Sequence, residues 1–148
     1  MKAKNQDLKW KLCDAYFSIL NSTNFNSINL KDLCLKSKVS YDEAKKIVPQ
    51  NGINGHFFFL QMLIMKLDNE TLEELKKDIA DDTISSTYDK ILEGLTLRFE
   101  KFLIYKPALQ IISDTPESKV ENFFKLFQEN YSFMFNLLDL VENKQNCI

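Results

Sequence analysis

The stretch Ser27-Ile28-Asn29-Leu30-Lys31-Asp32-Leu33-Cys34-Leu35-Lys36-Ser37-Lys38-Val39-Ser40-Tyr41 decides how the first third of this chain folds. Asn29 is an oxygen-bearing side chain placed ahead of apolar residues at helical spacing. It predicts a short helix over 30–36, with Leu30, Leu33 and Cys34 facing inward. Ser37-Lys38-Val39 is the turn that follows. Ser40 then caps a third helix over 41–48, with Glu43 at the capping-box position. Asp42 and Glu43 also suit the positive end of that helix dipole. Upstream, Leu8, Leu12, Ala15/Tyr16 and Ile19/Leu20 recur at helical spacing over 6–20. Asn21-Ser22-Thr23-Asn24 stops that first helix, because these side chains compete for backbone hydrogen bonds. Phe25 interrupts the polar stretch and is expected to plug the core from the loop. Three helices with a tight turn between the second and third make a helix-turn-helix.

Downstream, Pro49, Gly52 and Gly55 break the chain, and division there gives 1–50 as one domain and 51–148 as a second. Residues 54–67 are almost wholly apolar and predict a helix buried on most sides. Asn69 is expected to start a separate polar helix over 70–80, laced with pairs such as Glu73–Lys77. Asp81-Asp82-Thr83 links it to a long helix over 86–106, whose core stripe reads Tyr88, Ile91, Leu92, Leu95, Phe99, Phe102 and Leu103. Pro107 begins a further turn of helix, and Thr115-Pro116-Glu117 starts the last helix, over 116–142. On that helix Phe123, Phe127, Tyr131, Met134 and Leu138 follow one face, while Phe124, Phe135 and Leu137 lie off it. No strand pattern and no internal repeat stands out. The fold class is all-α, a helix-turn-helix followed by a helical bundle.

Composition bounds the function. With 148 residues and 45% hydrophobic content, the chain can bury a real core. Three Gly and three Pro argue against barrels, sandwiches and glycine-rich nucleotide loops. The longest nearly apolar run, Phe57 to Met65 with Gln61 inside it, is about half of what a membrane span needs. The start, MKAKNQDLKWK, lacks the pattern of a signal peptide, so a soluble, cytoplasmic protein is expected. Cys13, Cys34 and Cys147 include no CxxC pair, and Cys13 and Cys34 read as small core residues. His56, the single histidine, sits beside three phenylalanines with no partner set and reads as a packing residue. No constellation suits catalysis, and no metal or cofactor is implied. The charge is uneven. Residues 1–50 carry nine Lys against five acids, a balance of +4, whereas 51–148 balance at −6. A basic first third on an acidic body suggests that the first third meets a polyanion.

The quoted stretch resembles the N-terminal domain of TetR-type transcriptional regulators, bacterial proteins whose pattern runs Thr-hydrophobic-x-x-Asp-Ile-Ala-x-x-Ala-Gly-Val-Ser. Asp32-Leu33-Cys34 is similar to Asp-Ile-Ala, Val39-Ser40 to Val-Ser, and Val48-Pro49 falls where that family has Phe and often Pro. Ala15, Phe17 and Phe25 match in kind and spacing, and Leu95-Thr96-Leu97-Arg98-Phe99-Glu100 ahead of Pro107 resembles the body of some members. Three positions differ. Lys38 stands where the family has Gly, and a side chain in a left-handed turn costs about 1 kcal/mol. Lys45 replaces the aromatic of the reading helix, and Tyr41-Asp42, followed by Glu43, replaces its usual Lys-Gly opening. Two acids there would repel phosphates.

The resemblance implies double-stranded DNA as a partner, with Lys31, Lys36, Lys38, Lys45 and Lys46 on phosphates and Ser40 and Tyr41 near the groove. It also implies a homodimer and a body that holds a small apolar ligand, with Phe99, Phe123, Phe127, Tyr131, Met134 and Leu138 as the ligand or dimer face. Independently, the last helix carries more apolar residues than one face can bury, which asks for a partner or ligand. The alternative is a TetR-fold lipid-binding accessory protein of ubiquinone biosynthesis, which holds an isoprenoid lipid and does not bind DNA.

Overall fold

The computed structural model describes the backbone of residues 2–20, 28–49, 52–114 and 121–143, with side chains at 4–20, 28–49, 57–114 and 128–142. Among the described residues the chain forms seven helices and no strand: α1 (Lys2–Leu20), α2 (Leu30–Ser37), α3 (Tyr41–Ile47), α4 (Gly52–Asp78), α5 (Thr87–Leu103), α6 (Lys106–Ser113) and α7 (Glu121–Asn143). The all-α class and the N-terminal three-helix segment are as the sequence leads one to expect. The expectations for Phe25, the 21–24 stop, the 115–117 helix start, Cys147 and the side chain of His56 fall outside the described residues.

Side-chain caps set the helix starts. The Asp32 amide donates to Asn29 Oδ1 at 3.0 Å, and the Glu43 amide donates to Ser40 Oγ at 3.3 Å, as the sequence predicts. At α5 a full capping box forms: the Asp89 amide donates to Ser86 Oγ at 3.2 Å, and the Ser86 amide donates to Asp89 Oδ2 at 3.1 Å.

Packing groups the residues into two compact units, Met1–Leu63 with Tyr105–Asn122, and Ile64–Ile104 with Phe123–Ile148. In the first unit, α1 buries Leu12, Cys13, Ala15, Tyr16, Phe17 and Leu20. Tyr16 stacks on Phe59 of α4 at 4.5 Å and meets Phe17 edge-on at 5.1 Å. Phe17 in turn meets Tyr105 at 5.6 Å. Cys13 donates through Sγ to the Phe59 carbonyl at 3.6 Å, so this thiol is a packed core group, and buried Cys34 is a second; neither forms a disulfide. Burial pushes the Tyr16 hydroxyl well above its ordinary pKa.

The second unit centres on Leu75 and Ile79 of the α4 end and Phe133, Leu137 and Val141 of α7, with Ile91, Leu97 and Met134 packed around them. Gly94 lets α5 approach closely, since a Cβ there would lie 2.6 Å from Leu137 Cδ1 and 2.9 Å from Leu75 Cδ2. Beside it Arg98 donates through Nε to Asp68 Oδ1 at 2.6 Å, through Nη2 to Asp68 Oδ2 at 3.1 Å and through Nη1 to Asn130 Oδ1 at 2.7 Å. Its guanidinium also lies 4.4 Å from the Phe133 ring centroid and 5.3 Å from that of Phe102. Burial raises the Asp68 carboxyl above its usual pKa, while the Arg98 hydrogen bond and charge act against that rise.

Three expectations need correcting. Asn69 does not begin a new helix: α4 runs unbroken from Gly52 to Asp78, with Gly52 and Gly55 inside it. Asn69 is exposed, and the buried Thr71 satisfies its hydroxyl on the Leu67 carbonyl at 2.7 Å without leaving the helix. The long helix is also shorter than 86–106, since α5 ends at Leu103 and α6 starts at Lys106 with Pro107 in its first turn. Most consequentially, most of the stripe read as the core of α5 faces outward: Tyr88, Leu92, Leu95, Phe99 and Leu103 are exposed, whereas Ile91 packs against the core as expected and Phe102 is half-buried. Gly94, Leu97 and Arg98, which lie outside that stripe, share the inner side with Ile91. Helix α5 carries two apolar stripes, and periodicity alone does not say which one the chain itself buries.

Candidate nucleic-acid interface

The α2–turn–α3 segment follows from its local chemistry. Leu33, Cys34, Val39, Ala44 and Val48 supply its buried side. Lys38 caps α2 in the left-handed conformation, φ 55 and ψ 31, the only non-glycine residue with positive φ among those described. Such a residue allows a sharp reversal between two helices at a steric cost of roughly 1 kcal/mol for any side chain but glycine.

This geometry leaves the lysines outward. Lys31 and Lys36 on α2, Lys38 in the turn, and Lys45 and Lys46 in the last turn of α3 are all exposed, as are Ser40 and Tyr41. Lys31 and Tyr41 come together with Cys34, Leu35 and Val39 around an open, mostly apolar pocket of about 430 Å³. Ser40 is committed to its cap. Its hydroxyl donates to Glu43 Oε2 at 2.8 Å and accepts from the Glu43 amide.

Two residues of this surface carry no sequence signal. Lys4 of α1 pairs with Glu43 at 3.7 Å. The Ser40 hydrogen bond first, then the Lys4 and Lys46 charges, hold the Glu43 carboxyl below its ordinary pKa. Glu43 thus stays ionised, and Lys4 on another helix sets an opposite charge beside it, a pairing that spacing within 27–50 cannot disclose. The second residue is Leu35, 80% exposed amid the basic side chains of α2.

In the second unit the proposed ligand or dimer face separates. Phe99, Tyr131 and Leu138 are exposed, Met134 packs against the buried cluster, and the side chains of Phe123 and Phe127 lie outside the described residues. Phe135, read as off that face, is exposed and meets Tyr131 edge-on at 4.7 Å. Among the described residues no group of three or more His, Cys, Asp or Glu could hold a metal ion, and no helix is long and apolar enough to cross a membrane.

Compared with protein-family models, with curated proteins and with solved structures, the chain matches none.

Proposed function

We propose that this chain is a TetR-like DNA-binding transcriptional regulator that acts as a homodimer, with residues 1–50 meeting DNA and 51–148 serving dimerisation and effector binding. The observation that supports it most is the left-handed turn at Lys38. It joins two capped helices whose outer surfaces carry Lys31, Lys36, Lys38, Lys45 and Lys46. In this reading α3 enters the major groove with Ser40 and Tyr41 at its leading end, and the lysines neutralise phosphates on either side. A dimer would place two such helices about one turn of duplex apart, ~34 Å, on a palindromic site. The reading assigns no catalysis to the chain.

Selection from a random duplex pool, followed by anisotropy titrations over a range of salt, tests it. A site should be enriched, and affinity should fall steeply with salt. The double exchange Lys45→Glu with Lys46→Glu should weaken binding at least tenfold. It should also reduce the log–log salt slope by about one for each phosphate that the protein no longer neutralises. A pool with no enriched site, together with a protein that purifies with a stoichiometric isoprenoid, would replace this reading with the lipid-binding one.

A further inference from the structure

Among the described residues of the first unit, two large apolar side chains are exposed, Leu35 at 80% and Tyr41 at 42%. Both stand at one place. They border the open pocket of about 430 Å³ between α2 and α3, which the buried Cys34 and Val39 line from the core side and Lys31 completes. The cause is local. Leu33 and Cys34 take the inner side of α2, which turns Leu35, one residue on, about 100° away from Cys34. The left-handed turn at Lys38 then reverses the chain, so that Tyr41, the first residue of α3, arrives beside the same opening.

The chemistry of this opening selects its occupant. Leu35 and Val39 are apolar, and burial pushes the Cys34 thiol up in pKa, which favours its uncharged form. Lys31 and Tyr41 add one ammonium and one hydroxyl to an otherwise apolar lining. Among the described residues no carboxylate pairs with Lys31. A ligand that fills such a site needs an apolar body for the wall and a negative charge for the ammonium. One ammonium with one hydroxyl matches a monocarboxylate. A phosphate, with its greater charge, asks for more donors than these two side chains hold. The volume lies inside the roughly 300–1,000 Å³ range of small-molecule sites.

We infer that the pocket between α2 and α3 is a binding site for a small apolar monocarboxylate, its body against Leu35, Val39 and Cys34 and its carboxylate on Lys31 and Tyr41. The site lies in the three-helix segment, apart from the body that the proposed function gives to effectors, and its occupation requires no DNA. That reading also gives Lys31 and Tyr41 to the duplex, so an occupied pocket there opposes DNA binding.

Decanoate, kept below its micelle-forming concentration, is the probe, and the Cys34 thiol is the reporter. Decanoate should slow the alkylation of Cys34 by N-ethylmaleimide, followed peptide by peptide in mass spectra of the full chain. Cys13, packed on the Phe59 carbonyl, should react no faster, which shows that the fold is intact. Lys31→Gln should raise the half-protecting concentration of decanoate roughly threefold to fivefold, the worth of one exposed ion pair, and leave that of decanol unchanged. Leu35→Ser should raise both about tenfold through lost apolar contact. Both side chains are exposed, so neither exchange disturbs the core. A Cys34 that decanoate does not protect overturns the inference, and so does protection that either exchange leaves unchanged. These measurements contain no DNA. A protected Cys34 beside an unenriched duplex pool sinks the regulator and leaves the site standing, whereas an enriched pool with an unprotected Cys34 does the reverse.

Discussion

In α1–α3 the large apolar side chains go inside, with Leu12, Tyr16, Phe17, Leu33 and Val39 buried, and what remains outside is largely polar, with lysine the commonest residue. In the α5–α7 pair the smaller groups take the inside of α5, where Gly94 lies against Leu75 and Leu137 while Leu95 and Phe99 look outward. One region spends its apolar residues on its own core and displays charge. The other reserves much of its apolar surface and packs the remainder around a buried ion pair. Displayed lysine suits a highly charged, hydrated partner, and displayed Phe and Leu suit a partner that excludes water. Under the proposed function the two regions would keep different kinds of company.

The largest test of this contrast is Phe133→Ala. Phe133 is fully buried and also covers the Arg98 guanidinium, so its truncation should cost about 3–5 kcal/mol in urea unfolding. Phe135→Ala, two residues along on the open side, should cost under about 1 kcal/mol. Equal losses at the two positions would break the inside–outside distinction. Asp68→Ala comes next. It leaves Arg98, whose side chain is 16% exposed, without its carboxylate, and a cost of about 3 kcal/mol is expected. Replacing both partners, Asp68→Leu with Arg98→Met, should restore most of that loss, because paired removal leaves no buried charge unmatched.

The third test has opposite signs for stability and function. Lys38→Gly relieves the left-handed strain and should stabilise the fold by up to about 1 kcal/mol, read as a rise in Tm. Under the proposed function the same exchange takes a positive charge away from the phosphates and weakens duplex binding. A gain in both, or a loss in both, would separate Lys38 from one of its two roles.

The smallest effect is on acid stability, at the link before α5. The Asp82 carboxylate accepts from the Ile84 and Ser85 amides at 2.9 and 3.0 Å, and its hydrogen bonds to Ser85 and Ile84 hold its pKa down to about 2. A pKa depressed in the folded state means that the carboxylate form is the one the fold favours. Its contribution is complete above the ordinary value of 3.8 and is lost as pH falls through about 2. A carboxyl titration by NMR should place the Asp82 midpoint near 2, and Asp82→Ala should remove that part of the acid limb. A midpoint at the ordinary value would show that the link does not hold this turn in solution.

What the sequence discloses follows the same divide. The starts of α2 and α3 are legible because a cap is local, and Ser86, read as the first residue of its helix, proves to be a cap of the same kind. Asn29, Ser40 and Ser86 each act on an amide three residues away. The turn at Lys38 is legible for the same reason. The outward stripe of α5 is not legible, because Leu92 and Ile91 are equally apolar and only their distance from Leu75 and Leu137 distinguishes them. Gly94 is the residue that could have pointed to the inner side, since a glycine inside a long helix is costly unless something approaches it closely. Lys4 is invisible at the candidate interface because its partner Glu43 is remote in sequence. Asn69 misleads because its polar, turn-favouring character carries little weight where Leu67, Thr71 and Leu75 bury the opposite side of the same helix.

Arg98 is the only arginine in the chain. Its Nε–H is held on Asp68 at 2.6 Å, beside the face of Phe133. In a nitrogen-correlated NMR spectrum it should give a single arginine side-chain signal, displaced by the ring current and slow to exchange with solvent. That signal identifies itself, since no second arginine competes for it. It offers a built-in beacon for the second unit, readable in a cell lysate or during a titration, whose disappearance announces that α4, α5 and α7 have parted.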